Sequence, residues 1–185
     1  MIGNVVSRAR TKISSKAFCL NLVRAKSGGR PPFSFNGDYR DDKGQLKYKL
    51  CTDASHDQMN GTKAYGAILM PLKTHKPLLK FGDQISDPTT IYSLMELIGM
   101  VGGGLELNNR FPEMLGVLVC NDSANAVKHI RGDHVLESWK FHPINDDIAR
   151  LKLLMPDIDF VERRRYTKEM QQAHNLANEI RKKTF

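Results

Sequence analysis

Cysteine is scarce in this chain, with three among 185 residues, and Cys19, Cys51 and Cys120 show no paired spacing of the zinc or redox kind. A disulfide scaffold is not expected. Cys51 and Cys120, set in apolar stretches, read as small buried hydrophobes that suit a reducing compartment. No apolar run approaches the roughly 20 residues that a transmembrane helix requires, so no membrane span is expected. A secretory signal would need a continuous apolar core near the N-terminus, and none is there. Gly-x-Ser-x-Gly, HExxH, Walker and dinucleotide-binding motifs are also missing, which removes the enzyme classes built on them.

Acidic residues are absent from one region altogether. Residues 1–37 hold seven basic side chains (Arg8, Arg10, Lys12, Lys16, Arg24, Lys26 and Arg30) and no Asp or Glu. Of the 28 basic residues, 21 therefore remain in 38–185, against 20 acidic ones. The body is almost neutral, and the net charge of +8 is no argument that it grips a phosphate backbone. In the leader, Ile2, Val5, Val6, Ala9, Ile13, Ala17 and Leu20 recur at three- and four-residue steps, with the cations largely on other faces. A cationic amphipathic segment rich in Arg and Ser is what a mitochondrial transit peptide requires, and it predicts delivery to the matrix. The alternative is a basic arm that binds RNA or a partner. Residues 27–37, with Gly-Gly and Pro-Pro, read as a linker, leaving 38–185 as one domain.

What the body does contain is an alternation of strand and helix patterns. Residues 45–52 (QLKYKLCT) alternate polar and apolar and predict a half-buried strand ending on Asp53. Strands over 64–70 and 77–81 follow through turns. Asp87 and Thr89 or Thr90 offer N-caps for a helix through Val101, stopped by Gly102, Gly103 and Gly104. Residues 114–120 (MLGVLVC) are apolar enough for a strand buried on both faces. Asp122 and Ser123 open a helix that closes at Gly132. A helix over 146–155, a strand over 158–164 and a last helix capped by Thr167 complete the order β-β-β-α-β-α-α-β-α. That order predicts an α/β fold: a meander followed by crossovers onto a five-stranded mixed sheet, antiparallel in strands 1–3 and parallel in 4–5, flanked by helices.

Three acids stand at telling places in this order. Asp53 and Asp122 follow neighbouring strands at one sheet edge, and a helix packed across that edge would bring Glu96 beside them. Crowded carboxylates repel unless a divalent cation compensates them, and Mg²⁺ prefers such hard oxygen ligands. Two ions about 4 Å apart could activate water against a phosphodiester. Each acid also has a structural reading: Asp122 as a helix cap, Glu96 as a solvated helix residue. The basic run Arg163, Arg164 and Arg165 could face phosphates or simply end a strand in solvent. Trp139, with Phe141 and His142, could stack on a base or anchor its loop.

Those motifs resemble the ribonuclease H family, including the domains attached to reverse transcriptases. TDAS at 52–55 with YGAIL at 65–69 is similar to the family's opening hairpin, SLMELI at 93–98 to its first helix, VLVCNDS at 117–123 to its fourth strand, and AHNLA at 173–177 to its closing helix. The resemblance spans roughly residues 45–182. It implies a ribonuclease H-like fold and Mg²⁺- or Mn²⁺-dependent hydrolysis of RNA in RNA/DNA hybrids, with Asp53, Glu96 and Asp122 as catalytic metal ligands. It further implies Ser55, Ser93, Ser123 and Arg164 as nucleic-acid contacts. His174 stands where the family's fourth carboxylate is expected, as a catalytic proton carrier or a nitrogen near a metal. The other function consistent with this pattern is a weakly active or inactive subunit of a mitochondrial ribonucleoprotein, such as the mitochondrial ribosome.

Overall fold

The structure is a computed structural model that describes residues 33–134, 137–140 and 142–183. The leader helix, Cys19, the linker up to residue 32 and Phe141 lie outside the described residues.

Strands β1 (Tyr48–His56), β2 (Lys63–Pro71) and β3 (Leu79–Gln84) form the expected antiparallel meander. Asp57 builds the first turn by accepting from the amides of Met59 and Asn60 at 3.0 and 3.4 Å. Gly61 supplies the positive φ of 67° that brings the chain back. Helix α1 (Tyr92–Arg110), β4 (Leu118–Asn121), α2 (Ala124–Arg131), α3 (Ile144–Leu154), β5 (Asp159–Glu162) and α4 (Lys168–Lys182) follow. The strand order is β3-β2-β1-β4-β5, with β4 parallel to both β1 and β5. This is the mixed five-stranded sheet that the sequence predicts.

The central strand departs from its expected half-burial. Residues 49–55 are all buried, and β1 runs past Asp53 to His56. Helices cover both faces, so the polar and apolar alternation separates two buried sides rather than inside from outside. Leu50 and Ala54 join the large core with α1 and α3, whereas Cys51 joins Ile68, Met70, Cys120, Met170 and Ala173 beneath α4. Cys51 and Cys120 are fully buried, as expected of them. Asp53 shares the parity of Cys51 and therefore turns toward α4.

The glycine triplet does not stop α1, which continues nine residues beyond Val101 to Arg110. A Cβ on Gly102 would lie 3.1 Å from the Tyr65 ring, one on Gly103 3.2 Å from Thr52, and one on Gly104 2.9 Å from Leu151. These glycines bring the helix close to the sheet and to α3, and tertiary packing outweighs their poor helix propensity. The start of α1 also differs. Its N-cap position is Ile91, without a side-chain cap. Asp87 and Thr89 instead order the preceding loop, accepting from the amides of Thr89 and Ile91 at 2.8 and 3.1 Å. Ser123 does cap α2, accepting from Ala126 N, and Gly132 ends that helix at φ 85°. Thr167 holds the N-cap position of α4 but makes no side-chain cap bond.

Met114 and Val117 are buried in the approach to β4 rather than in the strand, and residues 163–165 leave the sheet after β5. The end of the expected linker packs on the domain: Phe33 lies edge-on to Tyr48 and Phe111, each at 5.6 Å between ring centres. Trp139 is 2% exposed and packs edge-on to His129, so it anchors its loop to the core and is not free to stack on a base.

Candidate metal centre and nucleic-acid cleft

Side-chain alternation at two neighbouring strand ends builds the site. On β1, Asp53 points toward α4; just past β4, Asp122 shares the parity of Cys120 and turns the same way. Glu96 arrives from the other face on α1. Ligand atoms of the three carboxylates lie within 4.8 Å of one another. They line a cleft of about 510 Å³ together with Ser55, His56, Ser93, His174 and Arg165.

Each acid is held differently. The Glu96 carboxylate accepts from Ala54 N at 3.1 and 3.0 Å through its two oxygens. Oε2 also accepts from Asn121 Nδ2 at 2.8 Å. The same amide group donates to Thr52 O at 2.9 Å, while Asn121 Oδ1 accepts from Ser123 N at 2.8 Å. Asp53 Oδ2 faces His174 Nδ1 at 2.7 Å. Asp122 is half-buried, and the charges of Arg165 and His174 act on it.

Burial raises all three acids, and repulsion within the cluster adds to it at Asp53 and Glu96. Desolvation lifts Asp53 to about 6, opposed by His174 and reinforced by Asp122. Glu96 is pushed well up by burial, with Asp53 and Asp122 adding to it. Asp122 is raised chiefly by desolvation and lowered by Arg165. An all-oxygen, net-negative donor set whose members resist ionising together fits a hard divalent cation, which would relieve that repulsion.

The structure places the remaining sequence candidates unevenly. Ser55 is buried and donates to Asn178 Oδ1 at 2.6 Å. Ser93 lines the cleft, and Ser123 lines it while capping α2. Arg164 is exposed and does not line it; its neighbour Arg165 does. The chain turns after β5, with Thr167 N bonded to Arg164 O at 3.0 Å, and of the three consecutive arginines it is Arg165 that lines the cleft, which the sequence could not single out. Tyr92, His56, Asn178 and Arg181 also line the cleft, and the sequence reading gave none of them a role. A signal existed for two: positions 178 and 181 lie four and seven residues after His174, on the same helix face. Asn121 was legible in the same way, as the residue whose alternation opposes Asp122.

No family model matches the sequence, and no curated protein matches it either. Solved structures do match. A ribonuclease H1 recovered from compost by a metagenomic approach, crystallised with an RNA/DNA hybrid, superposes with a TM-score of 0.61 at 20% identity, covering 74% of this chain and 98% of that one. The fold is that of ribonuclease H. Ribonuclease H1 from Halobacterium salinarum matches with a TM-score of 0.60 at 16% identity, over 74% of this chain and 98% of its own. The foamy virus protease-reverse transcriptase, also solved with an RNA/DNA hybrid, matches at 0.58 and 14% identity, over 89% of this chain and 23% of its own. Within this ribonuclease H fold the acid cluster sits where β1 and β4 run parallel side by side, with α1 and α4 closing over it from opposite faces.

Proposed function

We propose that this chain is a divalent-cation-dependent nuclease that hydrolyses the RNA strand of RNA/DNA hybrids. The observation that carries this reading is the convergence of Asp53, Glu96 and Asp122, from three separate elements, in one open cleft. The hybrid-bound neighbours of the same fold support the substrate class. Asp53, Glu96 and Asp122 would hold Mg²⁺ or Mn²⁺, which supplies Lewis-acid stabilisation of the charge that develops on the phosphodiester oxygens. Asn121 and Ala54 N fix the Glu96 carboxylate so that it does not rotate away from the other two acids. Arg165 faces the same space and offers a guanidinium to a phosphate. His174, bonded to Asp53 through Nδ1, orients that carboxylate and stands ready to carry a proton to or from the cleft. A two-ion arrangement belongs to the proposal, with a second ion held more weakly because an imidazole replaces a carboxylate.

Labelled RNA/DNA hybrid incubated with the full chain and Mg²⁺ or Mn²⁺ tests the reading, with Asp53→Asn beside it. Cutting of the RNA strand that disappears in Asp53→Asn is the expected result. No cutting by the unaltered chain in either metal would overturn it.

The engagement of Asp53 by His174 favours one second reading, an inactive ribonuclease H-fold subunit of a mitochondrial ribonucleoprotein. Recovery of cutting in His174→Asp from a silent wild type would identify that case. Delivery to the mitochondrial matrix rests on the basic amphipathic pattern of residues 1–37. A fluorescent protein fused behind those residues should enter mitochondria, and diffuse cytosolic fluorescence would contradict it.

A further inference from the structure

Five buried side-chain polar atoms lack a hydrogen-bond partner among the described residues: His56 Nδ1, Thr62 Oγ1, His129 Nδ1, Thr167 Oγ1 and Arg181 Nε. Unpaired buried polar groups are costly, and two of the five, on His56 and Arg181, fall on residues of one lining, that of the cleft described above.

The surroundings define the chemistry of a fitting partner. His56 ends β1, three residues beyond Asp53, and its ring stands 5.9 Å from that of Tyr92, which is 53% exposed. Asn178 and Arg181 lie one helical turn apart on α4. Asn178 Oδ1 is engaged by the Ser55 hydroxyl, which leaves its amide nitrogen as the group to offer a ligand. Arg181 Nη1 pairs with Asp57 Oδ2 at 2.8 Å, and the Arg181 side chain is only 15% exposed. Arginine, an amide N–H₂ and an imidazole are a donor set for an oxyanion. From His174 to Arg181 the helix advances by about 10 Å, so the arginine stands apart from the acids along the same cleft.

We propose that His56, Asn178 and Arg181 form a second subsite, which takes a phosphodiester of the bound nucleic acid beside the acid cluster, with Asp57 competing for Arg181. The subsite rests on the nuclease reading, since it assumes that a polynucleotide lies in the cleft. It positions the strand and does no chemistry. Asp57 makes the subsite adjustable, because the arginine exchanges a carboxylate for a phosphate when the strand arrives.

That exchange separates the subsite from a merely structural ion pair. Binding of fluorescently labelled RNA/DNA hybrid is measured with the full chain in the Asp53→Asn background, across a range of salt concentrations. Adding Arg181→Ala should weaken binding about tenfold and lower the salt-dependence slope by about one phosphate contact. Adding Asp57→Asn should act the other way and tighten binding several-fold, because it frees the guanidinium while the retained Oδ1 can still accept from the Met59 and Asn60 amides. Weakening by both substitutions with a matching loss of melting temperature would show a structural pair and overturn the subsite. Unchanged affinity and slope in both would overturn it equally. Failure of both the unaltered chain and the Asp53→Asn background to bind hybrid would defeat the nuclease reading, and the subsite with it.

Discussion

His174 Nδ1 lies 2.7 Å from Asp53 Oδ2, so the imidazole holds one of the three clustered carboxylates from the α4 face of the sheet. A carboxylate at position 174 would add negative charge there instead of occupying an acid that is already present. His174→Asp should therefore tighten Mg²⁺ binding on the order of tenfold, equivalent to about 1.4 kcal/mol, and bring a second ion into the measurable range. Isothermal titration with Mg²⁺ reads both the affinity and the stoichiometry. Unchanged values would mean that position 174 does not belong to the metal environment.

Much of this arrangement was legible in the chain, and the reasons are local. Strand alternation around Cys51 and Cys120 puts Asp53 and Asp122 on one side, and the apolar run over 114–120 marks β4 as central. The end of α1 was not legible. Gly102, Gly103 and Gly104 look like a stop until Tyr65, Thr52 and Leu151 are seen pressed against them. The full burial of β1 was hidden for a related reason, since Lys49 reads as exposed until Glu169 on α4 is found 3.5 Å from its ammonium. Which arginine after β5 faces the acids depends on a turn that carries no glycine or proline to announce it.

Asn121 is fully buried and ties Glu96 to β1 and to the start of α2. Asn121→Ala would leave Glu96 and Thr52 O without that donor, at a cost of about 2–3 kcal/mol in urea denaturation. Asn121→Asp should be worse for the site, because it faces one carboxylate with another. Full stability in Asn121→Ala would show that water replaces the amide.

The raised acids give the metal-free protein a distinctive pH dependence. Asp53 holds its proton up to about 6 in the folded chain, whereas the unfolded chain releases it near 3.8. The stability contributed by this group is fully present below 3.8 and is lost as pH rises through about 6. Glu96 acts in the same direction. The metal-free protein should thus melt lower at pH 7 than at pH 5 by an amount that Asp53→Asn reduces, and Mg²⁺ should restore most of the difference at pH 7. Melting curves that rise steadily from pH 5 to pH 7 without metal would contradict this balance.

Helix α4 lies against the sheet because β2 has no side chain at Gly66. A Cβ there would sit 2.6 Å from Ala177 N and 2.7 Å from Ala173 O. Gly66→Ala should push α4 outward, at a cost of about 1–3 kcal/mol, and move His174 with it. A denaturation midpoint equal to that of the wild type would show that the helix yields without strain.

Binding of a divalent cation by Asp53, Glu96 and Asp122 together is testable in crystals grown with Mn²⁺, through anomalous scattering. The expected result is an anomalous peak within coordination distance of oxygens from all three residues, lost in Asp53→Asn. A site with no peak in Mn²⁺-saturated crystals, or a peak that survives Asp53→Asn unchanged, would contradict it.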